Sequence, residues 1–166
     1  MKRISFEVLG RPVPQGSMTA SYNRKTNTSH VHHVQGAALA QWRASLRLAA
    51  KDAGAEIWEG PVQIIVIFGV YKAAYPKRTH PVIPPDLDKL VRALLDALTG
   101  VCYTDDKQVI SLYAGKVFGA KTEVVVREWI PAKGKHVAPP QLEHSEIEDI
   151  GAGQLSMSSM WETWGE

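Results

Sequence analysis

The sequence predicts an α+β fold, a single domain in which a mixed β-sheet of about four strands carries two helices, in the order β-α-β-α-β-β. Three observations predict it. Ile4, Phe6 and Val8 alternate with polar residues, and so does the run that follows Val109, the period of half-buried strands. Residues 62–70 form a dense Ile and Val run, as in a central strand buried on both faces. Two stretches, 34–53 and 86–99, repeat their apolar residues at helical spacing.

The first strand ends at Gly10, and residues 11–33 are rich in Pro, Gly, Ser, Thr and Asn with Arg24 and Lys25 at their centre. That composition predicts a long loop. Arg11, Arg24 and Lys25, with the neighbouring hydroxyls, either contact the phosphates of a polyanionic partner or sit on a mobile loop that merely aids solubility. His30, His32 and His33 match no familiar zinc spacing and lack a cysteine partner, so they are expected to be loop histidines without metal.

Residues 34–53 read as an alanine-rich helix that buries Trp42 and carries Arg43, Arg47 and Lys51 at i, i+4 and i+8. Such a basic stripe is either a solvated face or a track for a phosphate backbone. The helix stops at Asp52-Ala53-Gly54, and Gly60-Pro61 leads into the central strand. A second basic loop, 72–85, holds Lys72, Lys77, Arg78 and His80 among prolines. Its cations, next to the acids that follow, either hold a phosphodiester or belong to an ordinary surface loop.

The most informative stretch is residues 84–109, PPDLDKLVRALLDALTGVCYTDDKQV. Leu87, Leu90, Val91, Leu94, Leu95 and Leu98 mark one apolar stripe of a helix that starts near Asp86 and ends near Thr99 and Gly100. Asp86 is the expected N-cap, its carboxylate accepting first-turn N–H groups. Asp88, Arg92 and Asp96 follow at i, i+4 and i+8, and Asp105 and Asp106 stand at a strand entry. If these acids converge, two carboxylates ~5 Å apart repel by roughly 3 kcal/mol at an effective dielectric near 20, so the group calls for a cation. Hard oxygen donors without thiolate favour Mg²⁺, with Mn²⁺ as a substitute.

An Asp-x-Asp, a basic residue four positions on, an Asp-Ala-Leu and an Asp-Asp-x-Gln-Val occur in that order at Asp86, Asp88, Arg92, Asp96 to Leu98 and Asp105 to Val109. This set resembles the signature of the RusA family of Holliday-junction resolvases. Gly10 to Ser17, GRPVPQGS, is similar to the family's opening Gly-x-Pro-x-Pro turn, so the likeness spans roughly residues 3–130. The resemblance implies a Mg²⁺-dependent endonuclease that cuts branched DNA, with a four-way junction as substrate and paired nicks made by a homodimer. It places Asp86, Asp88 and Asp106 as metal ligands, with Asp105 a weaker candidate because adjacent strand residues face opposite ways. Two departures stand out: the family has Asn and Lys where this chain has Lys89 and Arg92. Arginine keeps the charge but cannot release a proton. If the family's lysine transfers a proton, Lys89 takes that role; if it only stabilises charge on phosphate, Arg92 suffices. Asp96 is expected to orient Arg92 through an i, i+4 ion pair. Lys107 joins the candidate DNA contacts.

Residues 110–118 and 122–130, around Gly119-Ala120-Lys121, have the pattern of a hairpin. From Pro131 the texture changes, which divides the chain into a nuclease domain, 1–130, and an acidic tail, 131–166. Residues 1–136 hold all 19 Lys and Arg against 11 acids, a balance of +8, while residues 137–166 hold six acids and no Lys or Arg. The basic body suits a polyanionic partner. The tail, with Met157, Met160, Trp161 and Trp164, reads as flexible. It either stays disordered, docks on a partner protein or folds back on the basic face.

A single cysteine, Cys102, excludes a disulfide framework and fits a reducing cytoplasm. No apolar run approaches the ~20 residues of a membrane span, and the N-terminus has no secretory core. A soluble cytoplasmic protein is expected. Two other classes remain open: a DNA-binding module whose acids serve only as caps and ion pairs, and a glycosyltransferase whose Asp-x-Asp binds a nucleotide-sugar metal.

Overall fold

The structure is a computed structural model that describes residues 2–16, 18–33, 36–72 and 77–129, with backbone alone at 18–23 and 29–33. The described elements are β1 (Arg3–Leu9), β2 (Met18–Asn23), β3 (Thr28–His33), α1 (Gly36–Asp52), β4 (Val62–Val70), α2 (Leu87–Leu98), a 3₁₀ turn (Asp106–Gln108), β5 (Val109–Phe118) and β6 (Lys121–Glu128). The α+β class, the mixed four-stranded sheet and the two helices are as the sequence predicts. The acidic tail lies outside the described residues.

Sheet order is β1-β6-β4-β5, with β4 and β5 parallel and the other pairs antiparallel. All nine residues of β4 are buried, which its unbroken Ile and Val run requires. Both helices cover one face, where Val62, Ile64, Val66 and Phe68 meet Leu39, Trp42 and Leu46 of α1 and Leu90, Leu94 and Leu98 of α2. Each such leucine, removed from water, contributes about 2 kcal/mol. On the opposite face Ile65, Ile67 and Val125 form a smaller cluster with Tyr113 and Val117. Beside it Arg127 Nε donates to Gln63 Oε1 at 2.5 Å and Gln63 Nε2 donates to Ser111 Oγ at 2.8 Å, a polar tie across three strands.

Two expectations of topology are corrected. The residues at 18–33 are not loop but a separate antiparallel hairpin, β2 with β3, closed by a turn at 24–27 in which Asn27 takes φ 52°. Asparagine tolerates that left-handed backbone, and Thr, Tyr and Val on the flanking strands favour extension. His30, His32 and His33 fall on β3. The expected hairpin of the last two strands does not form, because β5 and β6 flank β4 instead of pairing with each other. A central strand buried on both faces must pair along both edges, and β4 takes β5 on one side and β6 on the other.

The α2 stripe splits into two lines. Leu90, Leu94 and Leu98, with Ala93 and Ala97, are fully buried; Leu87, Val91 and Leu95 are only partly buried and turn toward β5. A turn after α2 buries Val101, Cys102 and Tyr103, whose hydroxyl donates to the Leu95 carbonyl at 3.0 Å. Burial pushes the Cys102 thiol up to about 12 from the usual 9.0. The unfolded thiol ionises near pH 9.0 and the folded one does not, so the stability this group contributes is present below that pH and is lost as pH rises toward 12. Native protein at pH 8 is expected to react with a thiol reagent about 100-fold more slowly than denatured protein, a difference read from the reagent's absorbance.

Candidate active site

Pro84 and Pro85, joined by a cis peptide bond, bring the chain into α2. Lys116, on β5, donates to the carbonyls of Ile83 and Pro85 at 2.8 and 2.9 Å, fixing that approach against the sheet. Lys116 carried no signal in the sequence beyond its place in an alternating strand. Asp86 occupies the N-cap position but makes no capping hydrogen bond, contrary to the sequence reading. Its carboxylate instead lies 2.5 Å from Lys89 Nζ. The pair holds Asp86 below the usual carboxylate range and Lys89 above its ordinary value. Lys89 Nζ is thus held against the Asp86 carboxylate at the start of α2.

One turn further on, a cleft of about 550 Å³ opens between α2 and the edge strand β5. Its floor is apolar, with Leu87, Val91 and Leu95 facing Leu112 and Ala114; Asp88, Arg92, Asp96 and Asp106 complete its lining. Asp88 and Asp106, 18 positions apart in sequence, both line this cleft because the crossover from α2 returns the chain to the edge strand beside β4. Asp86 does not line the cleft.

The Asp105-Asp106 pair is set by the 3₁₀ turn rather than by strand alternation. Asp105 is its N-cap: Oδ1 accepts from Lys107 N at 3.0 Å, and Oδ2 lies 3.1 Å from Lys107 Nζ. Those donors hold the Asp105 carboxyl below its usual range. Gln108 closes a capping box, accepting from Thr104 N and Asp105 N, and donates to the Trp58 and Gly60 carbonyls. The turn is thus stitched to the entry of β4, with Asp106 toward the cleft.

The expected Asp96–Arg92 pair is corrected. Asp96 Oδ2 lies 2.5 Å from Arg43 Nη2 of α1, and Arg43 also donates to Gln15 Oε1 in the N-terminal turn. Arg47 Nε donates to the Ala97 carbonyl at 3.2 Å. Two cations of the stripe, expected either to face solvent or to track a phosphate backbone, therefore bind α1 to α2. A cation on a neighbouring helix outcompetes one on the same helix when the two helices pack closely, and i, i+4 spacing alone carries no sign of that.

Of the candidate DNA contacts, Arg11, Lys72, Lys77, Arg78 and Lys107 are exposed, as are Arg24 and Lys25 at the tip of the β2–β3 hairpin. Lys72 Nζ sits 5.4 Å from the centre of the Phe118 ring, and Arg78 Nη1 donates to the Val82 carbonyl at 3.0 Å.

Among the described residues no three His, Cys, Asp or Glu side chains stand close enough to hold a metal ion by themselves. The donor chemistry still fits Mg²⁺, which commonly takes one or two carboxylates and leaves its other positions to waters and substrate phosphate. Asp88 and Asp106 supply two hard carboxylates beside one cleft.

A family model described as Endodeoxyribonuclease RusA matches residues 10–127, the main body of the chain and every element from the N-terminal turn to β6. The chain belongs to the RusA endodeoxyribonuclease family. It is a nuclease of that family, whose members act on branched DNA junctions and generally depend on a divalent metal ion. A relative from Bacillus subtilis (strain 168), the uncharacterized protein YqaN, is 30% identical over 146 residues, 77% of this chain and 98% of that protein. Family membership removes the glycosyltransferase alternative. No helix among the described residues is long and apolar enough to cross a membrane.

Proposed function

We propose that this RusA-family nuclease resolves four-way DNA junctions by paired, symmetric nicks that require Mg²⁺, acting as a homodimer in the cytoplasm. The observation that carries the reading is that Asp88, Asp106 and Arg92 line one cleft. In this reading Asp88 and Asp106 hold the ion. A bound Mg²⁺ supplies a water of lowered pKa and neutralises charge on the scissile phosphate. Arg92 stabilises the extra negative charge of the transition state, and Lys89 adds a second cation at the start of α2. Asp86 serves first as the partner that places Lys89, and joins the metal only if that pair opens. Asp105 keeps the turn in shape for Asp106.

Arg11, Arg24, Lys25, Lys72, Lys77, Arg78 and Lys107 are assigned to the DNA backbone, where cations set position rather than sequence. A junction is near two-fold symmetric, so a C₂ dimer with one cleft per subunit supplies two matched cuts. Purified protein incubated with a synthetic four-way junction and Mg²⁺ is expected to give symmetric nicks, to leave a linear duplex of the same sequence intact, and to stop cutting in EDTA. Binding of the junction without any nick in Mg²⁺ or Mn²⁺ would leave a DNA-binding module in place of the resolvase.

A further inference from the structure

The β2–β3 hairpin is a two-stranded ribbon separate from the main sheet, and among the described residues neither strand packs extensively on a further element. Its root is nevertheless tied to the site. Gln15, three residues before β2, donates its N–H to the Lys89 carbonyl on α2 at 3.0 Å, and its side-chain carbonyl accepts from Arg43 of α1. Three residues span at most about 11 Å, so the ribbon leaves the body near the first turn of α2, where Asp88 lines the cleft. Six residues per strand give it a length of about 20 Å, the height of about six base pairs. At its tip Arg24 and Lys25 are exposed, and the Thr26 and Thr28 hydroxyls bond across the turn at 2.7 Å.

An isolated pair of strands is marginal in water and gains stability from whatever covers a face. Opposed residues of an antiparallel pair share a face. The register pairs Thr19 with His32, Ser21 with His30 and Asn23 with Thr28, so one face of the ribbon holds hydroxyl, amide and imidazole residues and nothing apolar. A face of that composition does not pack on a protein core; it suits a partner rich in hydrogen-bonding groups. Charge narrows the partner further. Between Glu7 and Asp52 the chain has no Asp or Glu, while Arg11, Arg24, Lys25, Arg43, Arg47 and Lys51 all fall in that interval. The cover is therefore polyanionic. The family acts on branched DNA, and a two-stranded ribbon fits the major groove of a duplex, about 12 Å wide. Resting on the junction-nuclease reading, we infer that the β2–β3 hairpin is a reading arm that enters the major groove of a junction arm beside the cut. Ser21, Asn23, His30 and His32 meet base edges, with Arg24 and Lys25 on the flanking phosphates. Asparagine matches the N6 and N7 of adenine, and a hydroxyl serves a donor or an acceptor.

The test uses the full chain and a synthetic four-way junction randomised along its arms, bound in EDTA so that nothing is cut, with the bound fraction sequenced. Native protein is expected to enrich particular bases several pairs from the branch point, favouring them about tenfold over the rest, the size of one good base-edge contact. Asn23→Ala and His30→Ala should each lose that enrichment at its own position. Arg24→Ala/Lys25→Ala should instead weaken binding to all sequences alike and reduce the salt slope by about two. Methylation of guanine N7, which obstructs the major groove, should interfere with native binding within the enriched segment. Because the ribbon lies outside the main core, all variants should keep the native circular dichroism spectrum.

Native protein that binds the junction and enriches no base in its arms overturns the inference, as does enrichment that survives both Asn23→Ala and His30→Ala. Loss at every position from either variant would give these residues a purely structural part and equally defeat their role at base edges. Interference from methylated adenine N3, with none from guanine N7, would put the ribbon in the minor groove, again against the inference. All these failures leave the nuclease reading standing where native protein still nicks the junction in Mg²⁺. Native protein that neither binds nor nicks the junction removes that reading, and the arm with it.

Discussion

Asp88→Asn is expected to abolish junction cleavage while leaving junction binding intact. The substitution keeps the shape of the side chain and removes its charge, and Asp88 is exposed on the first turn of α2, so the fold has little stake in it. A surface change of this kind shifts stability by no more than about 0.5 kcal/mol. If Asp88 holds the ion as proposed, the loss of that hard donor should lower the cleavage rate on the order of 1000-fold. Asp106→Asn should match it, and the double variant should be little worse than either, since groups acting on one ion fail together. Single-turnover rates on a labelled four-way junction, beside a gel-shift titration in EDTA, read both quantities. A variant that retains a tenth of native activity would place the metal elsewhere, with the Asp86 and Lys89 pair the next place to look.

Gly69→Ala is expected to destabilise the fold by about 3 kcal/mol, through overpacking against backbone that cannot move aside. Gly69 is the eighth residue of β4, and the chain crosses over it on the way from β5 to β6. A Cβ there would stand 2.2 Å from the Lys121 carbonyl oxygen and 2.9 Å from Lys121 N. Gly119 N donates to the Val70 carbonyl at 3.1 Å and Lys121 is tied to Glu7 and Glu123, so the crossing segment is held on both sides. Thermal unfolding followed by circular dichroism should show a fall on the order of 10 °C. Gly119→Ala is the control, because its nearest neighbour lies at 3.7 Å. Equal melting temperatures for both variants would mean that the Lys121 backbone does not press on Gly69.

Much of the architecture was legible because it rests on local periodicity. The apolar spacing of residues 86–99 marked α2 to within a residue of its observed bounds, and the Ile and Val run of 62–70 named the central strand with both its ends. The β2–β3 hairpin was hidden because turn-forming residues on its two strands masked the extended pattern. Of the site, the acid-rich stretch was visible as a set of residues with Asp105 already set apart, but the partners of Asp86 and Asp96 were not visible. In the structure the five aspartates become a lysine's partner at Asp86, a turn cap at Asp105, an arginine's partner at Asp96, and two further cleft carboxylates at Asp88 and Asp106.

By itself the sequence determined the fold class, the helix and strand that flank the cleft, and the family, since each depends on residue order and on spacings a few positions long. Only the tertiary structure decided the strand order β1-β6-β4-β5, the pairing of Asp96 with Arg43 and the anchoring of Lys116 at the cis-proline turn. The reason is range. Periodicity reports which face of an element is apolar, whereas a carboxylate's partner is whichever cation the packing of distant segments brings within about 3 Å, and that distance is not written along the chain.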